Sequence, residues 1–241
     1  MSKYIKLPTG ARARFVRAPG SRSKQQPAVI IVHGWKSSSP IAPTSSYAQL
    51  QQEFRRIGYH SLVICLRGHA PSAGDLTKLA RIDHFDDVDA GLDWLKSRRD
   101  VDIDRLGGYG VSYGAYILAV ISSTEDLHQL AFRVPALYPD IGWHKPAIET
   151  VESPKLRSWR LKEHSGRSCW ALSALSHFGG RVQLVFSKHD EYMPPPVMAS
   201  YCKACRNATA EATVMDAGHV LDNKQREWHA KLLIDWFART R

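Results

Sequence analysis

Short apolar runs alternate with segments of helical period along most of the chain. Residues 28–32 are apolar without a break, which is typical of a parallel strand covered on both faces. Residues 84–98 repeat apolar side chains at helical spacing, with acidic residues early and basic residues late, as the helix dipole favours. This alternation predicts an α/β fold with a mostly parallel central sheet and helices on both faces. The predicted strands are residues 5–7, 11–18, 28–32, 61–66, 106–109, 131–137, 182–186 and 212–215, and a turn is predicted at 21–26. The first predicted helix is capped near residues 44–46 and ends at Gly58. The other predicted helices are residues 84–98, 115–120, 197–208 and 225–238.

The length and composition indicate one globular domain. A chain of 241 residues suits a single sheet with helices on both faces, so we expect residues 1–241 to form one domain. No apolar run approaches the roughly 18 residues of a membrane-spanning helix, and the first residues lack the apolar core of a signal peptide. The four cysteines do not form a disulfide framework in a chain this long, and free thiols suit a reducing compartment. We therefore expect a cytoplasmic protein without a membrane span.

The net charge of +10 does not indicate a nucleic-acid partner. The arginines are scattered along the chain instead of lying on one helix face, and aromatic residues are not placed among them for base stacking. We expect no nucleic-acid binding. Electrostatic steering of an anionic substrate stays open.

A serine lies in a glycine-rich turn between a strand-like run and an apolar helix. The sequence G-V-S-Y-G occupies residues 110–114, after the run 106–109 and before the apolar residues 115–120. A serine on so sharp a turn stands above the sheet edge, at the positive end of the next helix. This nucleophile elbow predicts Ser112 as a catalytic nucleophile.

An acid and a base follow two later strands. Asp190 comes after the run 182–186, and His219 comes after the run 212–215. Open α/β sheets carry their chemistry at the carboxyl ends of the strands, and a serine nucleophile needs a base in reach and a third group that orients the base. We predict His219 as the base and Asp190 as the orienting acid, with Glu191 and Asp216 as the rivals of Asp190.

The order Ser112, Asp190, His219 resembles that of the serine α/β-hydrolases. Two further motifs carry the same resemblance. His33-Gly34-Trp35 is similar to the family's oxyanion loop, and residues 65–72 resemble its D-x-R-G-H-G-x-S loop, with Cys65 where an acid is common and Ala70 where glycine is. The resemblance runs from about residue 27 to the end. Within the superfamily, residues 108–116 and 188–194 look most like small esterases of the cinnamoyl or feruloyl esterase and serine-aminopeptidase-like groups.

The resemblance implies an α/β-hydrolase fold and a set of site residues. The backbone N–H groups of Trp35 and Tyr113 would form the oxyanion hole, and residues 138–180 would form a small lid insertion. No cofactor is implied, and no cluster of His, Cys or acidic residues has the spacing of a metal site. Aromatic residues of the lid are candidate substrate contacts, although they could equally serve the lid's own packing: Trp143, His144, Trp159 and Trp170.

The expected reaction is acyl transfer to water from a small-molecule acyl substrate. A carboxylic ester is the first expectation, since ester cleavage is common among small members of the resembled superfamily. Cleavage of a thioester, amide or peptide by the same three residues is the alternative, and a non-catalytic binding protein that keeps the fold is a third reading. The sequence leaves the acyl length, the physiological substrate and the oligomeric state open.

Overall fold

A computed structural model of the chain describes residues 4–20 and 24–239. Strands and helices alternate along these residues, and the strands form one sheet. The strands are β1 Ile5–Lys6, β2 Arg12–Val16, β3 Gln26–Val32, β4 His60–Cys65, β5 Val101–Val111, β6 Gln129–Arg133, β7 Arg181–Ser187 and β8 Thr209–Met215. The helices are α1 Ser46–Arg56, α2 Arg81–Lys96, α3 Tyr113–Ile121, α4 Ala147–Val151, α5 Pro154–Arg160, α6 Trp170–His177, α7 Pro195–Ala204 and α8 Asn223–Ala238.

The sheet is parallel over most of its width. Its strand order is β1-β2-β4-β3-β5-β6-β7-β8, with β1 and β2 antiparallel to their neighbours and parallel pairing from β4 to β8. The carboxyl ends of β3, β5, β7 and β8 therefore lie along one edge. The loops that carry the predicted site residues all leave the sheet at that edge.

Helices cover both faces of the sheet, as the sequence predicted. Residues of β3 alternate between two hydrophobic layers: Ile30 belongs to the layer that includes side chains of α2, α3, α6 and α7, and Ile31 belongs to the layer that includes side chains of α1 and α8. The strand is fully buried from Ala28 to Val32. Its unbroken apolar run thus has the physical cause expected for a central parallel strand.

The predicted strand at residues 131–137 is wrong at its end. In the structure β6 stops at Arg133 because Val134 has a positive φ of 41°, and its N–H donates to the carbonyl of Val185. The apolar residues that follow are buried beside the elbow instead of pairing in the sheet, with the N–H of Ala136 donating to the carbonyl of Ser112. Their hydrophobicity therefore reflects burial of a loop.

Several helix boundaries differ from the predicted ones. The helix predicted at 84–98 begins at Arg81, since a carboxylate oxygen of Asp83 accepts the N–H of Ala80 and so caps the first turn. The helix predicted at 197–208 begins at Pro195, because proline fits the first turn of a helix, where its missing N–H is not needed. It ends at Ala204, and a 3-10 turn, Cys205–Asn207, follows.

The segment 138–180, in which no periodicity was found, contains α4, α5 and α6. Helix α6 buries Ala171, Leu172 and Leu175 in the main hydrophobic layer. The single domain over residues 1–241 and the role of residues 138–180 as a lid remain predictions. Residues 21–23 of the predicted turn at 21–26 lie outside the described residues. None of the described helices combines the length and hydrophobicity that crossing a membrane would need.

Candidate active site

Ser112 occupies the turn between β5 and α3. Its backbone has φ 51° and ψ −113°, a conformation that L-residues adopt at a cost and that nucleophile elbows require. The two glycines of the motif are sterically required. A Cβ at Gly110 would lie 2.5 Å from the Cα of Ala115, and a Cβ at Gly114 would lie 2.4 Å from the carbonyl oxygen of Val32. The close approach of α3 to the sheet thus depends on both positions.

His219 lies between Ser112 and Asp190. Its Nε2 is 3.1 Å from the Ser112 Oγ, and its Nδ1 is 2.8 Å and 3.0 Å from the two carboxylate oxygens of Asp190. The Asp190 side chain is only 2% exposed. Its Oδ1 also accepts the N–H groups of Tyr192 and Met193, which fixes the carboxylate in the loop after β7.

The rivals of Asp190 have other partners. The carboxylate of Asp216 pairs at 2.7 Å with His189, and both side chains are largely exposed. Glu191 accepts only the backbone N–H of His219, at 3.4 Å. Of the three acids, Asp190 is the one whose carboxylate is bonded to the imidazole of His219.

The loop after β3 brings Trp35 beside Tyr113. A Cβ placed on Gly34 would lie 3.6 Å from the Cβ of Ser112, and the rings of Trp35 and Tyr113 are 5.1 Å apart. His33 holds this loop: its Nδ1 donates to the carbonyl of Gly34, and its Nε2 accepts the N–H of Leu66. Burial lowers the pKa of His33 to about 3, so this brace carries no charge at neutral pH.

The loop after β4 supports the start of α3 through His84. The Nε2 of His84 donates to the carbonyl of Arg67, and its Nδ1 accepts the hydroxyl hydrogen of Tyr113 at 2.7 Å. Burial lowers the pKa of His84 to about 4, which matches this neutral form. Arg67 is in turn paired with the buried Asp87 at 2.7 Å. His84 was missed from the sequence, where only its place in a helical period was visible.

The segment from Glu152 to the end of α5 reaches from the loop after β3 to the loop after β7. At one end, Glu152, which directly follows α4, accepts the indole N–H of Trp35 at 3.1 Å and pairs with Lys36. At the other end, Arg160 donates to the carbonyl of Tyr192 at 3.4 Å. The segment predicted as a lid therefore contacts both loops that flank Ser112.

Three of the four aromatic residues proposed as substrate contacts pack against other parts of the molecule, and the fourth is exposed. Trp143 is buried against the Arg81 guanidinium, Trp159 stacks on His164 at 3.6 Å, and His144 is exposed. Trp170 lines a cavity of about 450 Å³ with Ser122 and Ser123, at the end of α3 opposite Ser112. Their role as substrate contacts stays a prediction.

Tyr192, which sequence reasoning missed, lies at the site itself. Its ring is 5.0 Å from the ring of His219, and its side chain is 56% exposed. Its place two residues after Asp190 was the available signal. Over residues 4–20 and 24–239, no group of three His, Cys, Asp or Glu residues could hold a metal ion.

Comparison with known proteins gives one family match. The family model described as X-Pro dipeptidyl-peptidase (S15 family) matches residues 13–145, more than half of the chain. No match was found among the curated proteins.

Solved structures share the fold at low sequence identity. A putative dipeptidyl aminopeptidase IV from Bacteroides ovatus superposes with a TM-score of 0.75 at 18% identity, covering 98% of this chain but 35% of that chain. Est1E from Butyrivibrio proteoclasticus with bound ferulic acid gives a TM-score of 0.69 at 16% identity, covering 99% and 97% of the two chains. A structure from a report on LipS and LipT, two metagenome-derived lipolytic enzymes, gives a TM-score of 0.69 at 19% identity, covering 98% and 100%. The chain thus spans about a third of the dipeptidyl aminopeptidase, and it has the α/β-hydrolase fold.

Proposed function

The chain belongs to the family described as X-Pro dipeptidyl-peptidase (S15 family), and we propose that it is a serine hydrolase that cleaves a carboxylic ester through an acyl-enzyme on Ser112. The observation that carries the proposal is the continuous hydrogen-bonded series from the Ser112 Oγ through His219 to Asp190. A serine hydroxyl is a weak nucleophile at neutral pH, and this arrangement supplies the base and the orienting acid that it needs.

The proposed mechanism has two acyl-transfer steps. Ser112 attacks the substrate carbonyl while His219 takes the hydroxyl proton, and Asp190 stabilises the imidazolium that forms. His219 then protonates the leaving alcohol. A water molecule, deprotonated by the same histidine, attacks the acyl-enzyme, releases the carboxylic acid and returns the proton to Ser112.

We assign the backbone N–H groups of Trp35 and Tyr113 to the developing oxyanion. Donors of this kind contribute roughly 3 to 4 kcal/mol each to transition-state stabilisation. The support is their location: one is in the loop held by His33, and the other is the first residue of α3, so neither has to move when charge develops. No cofactor takes part in this scheme.

An ester is preferred over a peptide as the substrate because of the extent of the structural matches. The two esterase or lipase structures are covered over 97% and 100% of their length, whereas the dipeptidyl aminopeptidase is covered over 35%. The family description supports one competing function, the release of Xaa-Pro dipeptides, which would use the same three residues. Thioester cleavage is the third possibility.

A substrate panel separates these functions. We expect kcat/KM for p-nitrophenyl butyrate to exceed that for Ala-Pro-p-nitroanilide and for butyryl-CoA by at least about 10³-fold. Ser112→Ala should lower the ester rate by at least about 10³-fold, because removal of the nucleophile abolishes the acyl-enzyme. Ser123→Ala is the matched control, since its hydroxyl donates to the carbonyl of Val120 at the end of α3 that is remote from Ser112. A preference for the anilide would establish a peptidase, and a rate unaffected by Ser112→Ala would overturn the proposal.

A further inference from the structure

One buried arginine contacts all three loops that carry the candidate active site. Arg133 is the last residue of β6 and is 5% exposed. Its carbonyl accepts the N–H of Ser112 at 2.9 Å. Its Nη2 donates to the carbonyl of Gly218 at 3.3 Å and lies 3.5 Å from the hydroxyl of Ser187. Gly218 directly precedes His219, and Ser187 is the last residue of β7, before the loop of Asp190.

The positive charge of Arg133 has no close counterion. Among the residues that the structure describes, no carboxylate forms an ion pair with Arg133, and its Nε has no hydrogen-bond partner. Two of its hydrogen bonds are long and therefore weak. A buried cation in this situation is costly to the fold, so packing alone does not account for it.

Titratable groups from four elements interact electrostatically with Arg133. They are Tyr47 of α1, Tyr109 of β5, His229 of α8 and Asp190 of the loop after β7. Burial raises the pKa of Tyr47 to about 12 and also raises the pKa of Tyr109, while burial and Arg133 lower the pKa of His229 to about 3. These three groups are uncharged at neutral pH. Asp190 is therefore the anion on which the field of Arg133 acts.

We propose that Arg133 is a positioning residue of this site: it holds the loop of His219 against the end of β7, and its charge favours ionised Asp190 and the neutral, proton-accepting form of His219. The inference rests on the proposed function, because it concerns the same base. Arg133 reaches the carbonyl of Gly218, next to His219. The described groups that contact His219 through hydrogen bonds or its ring include Asp190, Glu191, Ser112 and Tyr192. The negative charge of Asp190 favours the imidazolium, and the positive charge of Arg133 opposes that effect.

The test is an NMR titration of the His219 imidazole in the full chain. Arg133→Gln keeps a hydrogen-bond donor and removes the charge, and Arg133→Lys keeps the charge. Arg181→Gln is the matched control, because Arg181 is a partly buried arginine at the opposite end of β7. We expect the His219 pKa to rise by about 0.5 to 1 pH unit in Arg133→Gln, since a nearby cation is lost. It should stay within about 0.2 unit of the wild type in Arg133→Lys and Arg181→Gln.

The direction of the change in the His219 pKa distinguishes an effect of the Arg133 charge from an effect of Arg133 packing. If Arg133 only packs the loop, its loss loosens the bond between His219 and Asp190, and the His219 pKa falls or does not move; either result overturns the proposal. Should Arg133→Gln fail to fold, Arg133→Lys decides: a folded protein with an unchanged His219 pKa supports the role of the charge, and an unfolded one contradicts it. The titration needs no activity. A shift without Ser112-dependent hydrolysis would therefore refute the proposed function and leave the effect of the charge standing.

Discussion

At the scale of single residues, hydrogen bonds with the backbone fix the positions of Ser112 and Asp190. The positive φ of Ser112 costs on the order of 1 to 3 kcal/mol. Hydrogen bonds of the backbone hold this conformation. The N–H of Ser112 donates to the carbonyl of Arg133, and the carbonyl of Ser112 accepts the N–H groups of Tyr116 and Ala136. Asp190 is fixed in the same way by two backbone N–H groups.

Asp190 should be separable from its two rivals by mutation. Asp190→Asn keeps an oxygen for the N–H groups of Tyr192 and Met193 but removes the charge that orients and stabilises protonated His219, so we expect kcat for p-nitrophenyl butyrate to fall by about 10³ to 10⁴-fold. Glu191→Gln and Asp216→Asn should stay within about 3-fold of the wild type, because neither carboxylate contacts the imidazole. A loss in either control as large as that in Asp190→Asn would show that the orienting acid has been misassigned.

At the scale of elements, α3 can approach the sheet closely because Gly114 has no side chain. At Gly114, a Cβ would meet the carbonyl oxygens of Val32 and His33 at 2.4 Å and 2.5 Å. Both oxygens belong to β3 or to the turn after it, so they cannot move without disturbing the loop of Gly34 and Trp35. Glycine at position 114 is therefore required both for the packing of α3 and for the geometry of the site.

Gly114→Ala tests this requirement against helix propensity. Alanine is favoured over glycine by about 1 kcal/mol within a helix, but overpacking costs about 1 to 3 kcal/mol and more where the contact is backbone. We expect a net loss of about 2 kcal/mol or more in the free energy of unfolding by urea, together with loss of ester hydrolysis. Gly179→Ala is the control, since no atom lies within 4 Å of its added Cβ, and it should change stability by less than about 0.5 kcal/mol. Equal stability of the two variants would contradict the account.

At the scale of the whole molecule, the parallel topology places remote parts of the chain together. Ser112 and His219 are 107 residues apart in sequence, and Asp190 and His219 are 29 apart. Each follows a strand of the same sheet, and these strands run in the same direction. The order of strands in the sheet thus brings Ser112, Asp190 and His219 to one edge.

Features that depend only on neighbouring residues could be predicted from the sequence. The continuous apolar run of β3, the cap of α1 at Ser45 and its end before Gly58 at φ 78° are local features, and each was readable from neighbouring residues. The strand-turn-helix pattern around Ser112 was equally local.

Other features were not predictable, because they depend on contacts between distant segments. The apolar residues after Arg133 read as strand, and only the positive φ of Val134 and the bond from Ala136 to Ser112 show that the chain leaves the sheet there. Arg133 itself meets Gly218 across 85 residues. The contacts of Glu152 with Trp35 and of Arg160 with Tyr192 likewise join residues that no local pattern connects.

The most direct measurement of the central claim is covalent labelling by a fluorophosphonate, read by intact mass. The folded wild type should gain one adduct, located on Ser112 by peptide mapping, because its hydroxyl is activated by His219. Ser112→Ala, His219→Gln and the urea-unfolded wild type should remain unlabelled over the same time. Labelling of Ser112→Ala at the wild-type rate, or a folded wild type that stays unlabelled, would contradict the assignment of Ser112 as an activated nucleophile.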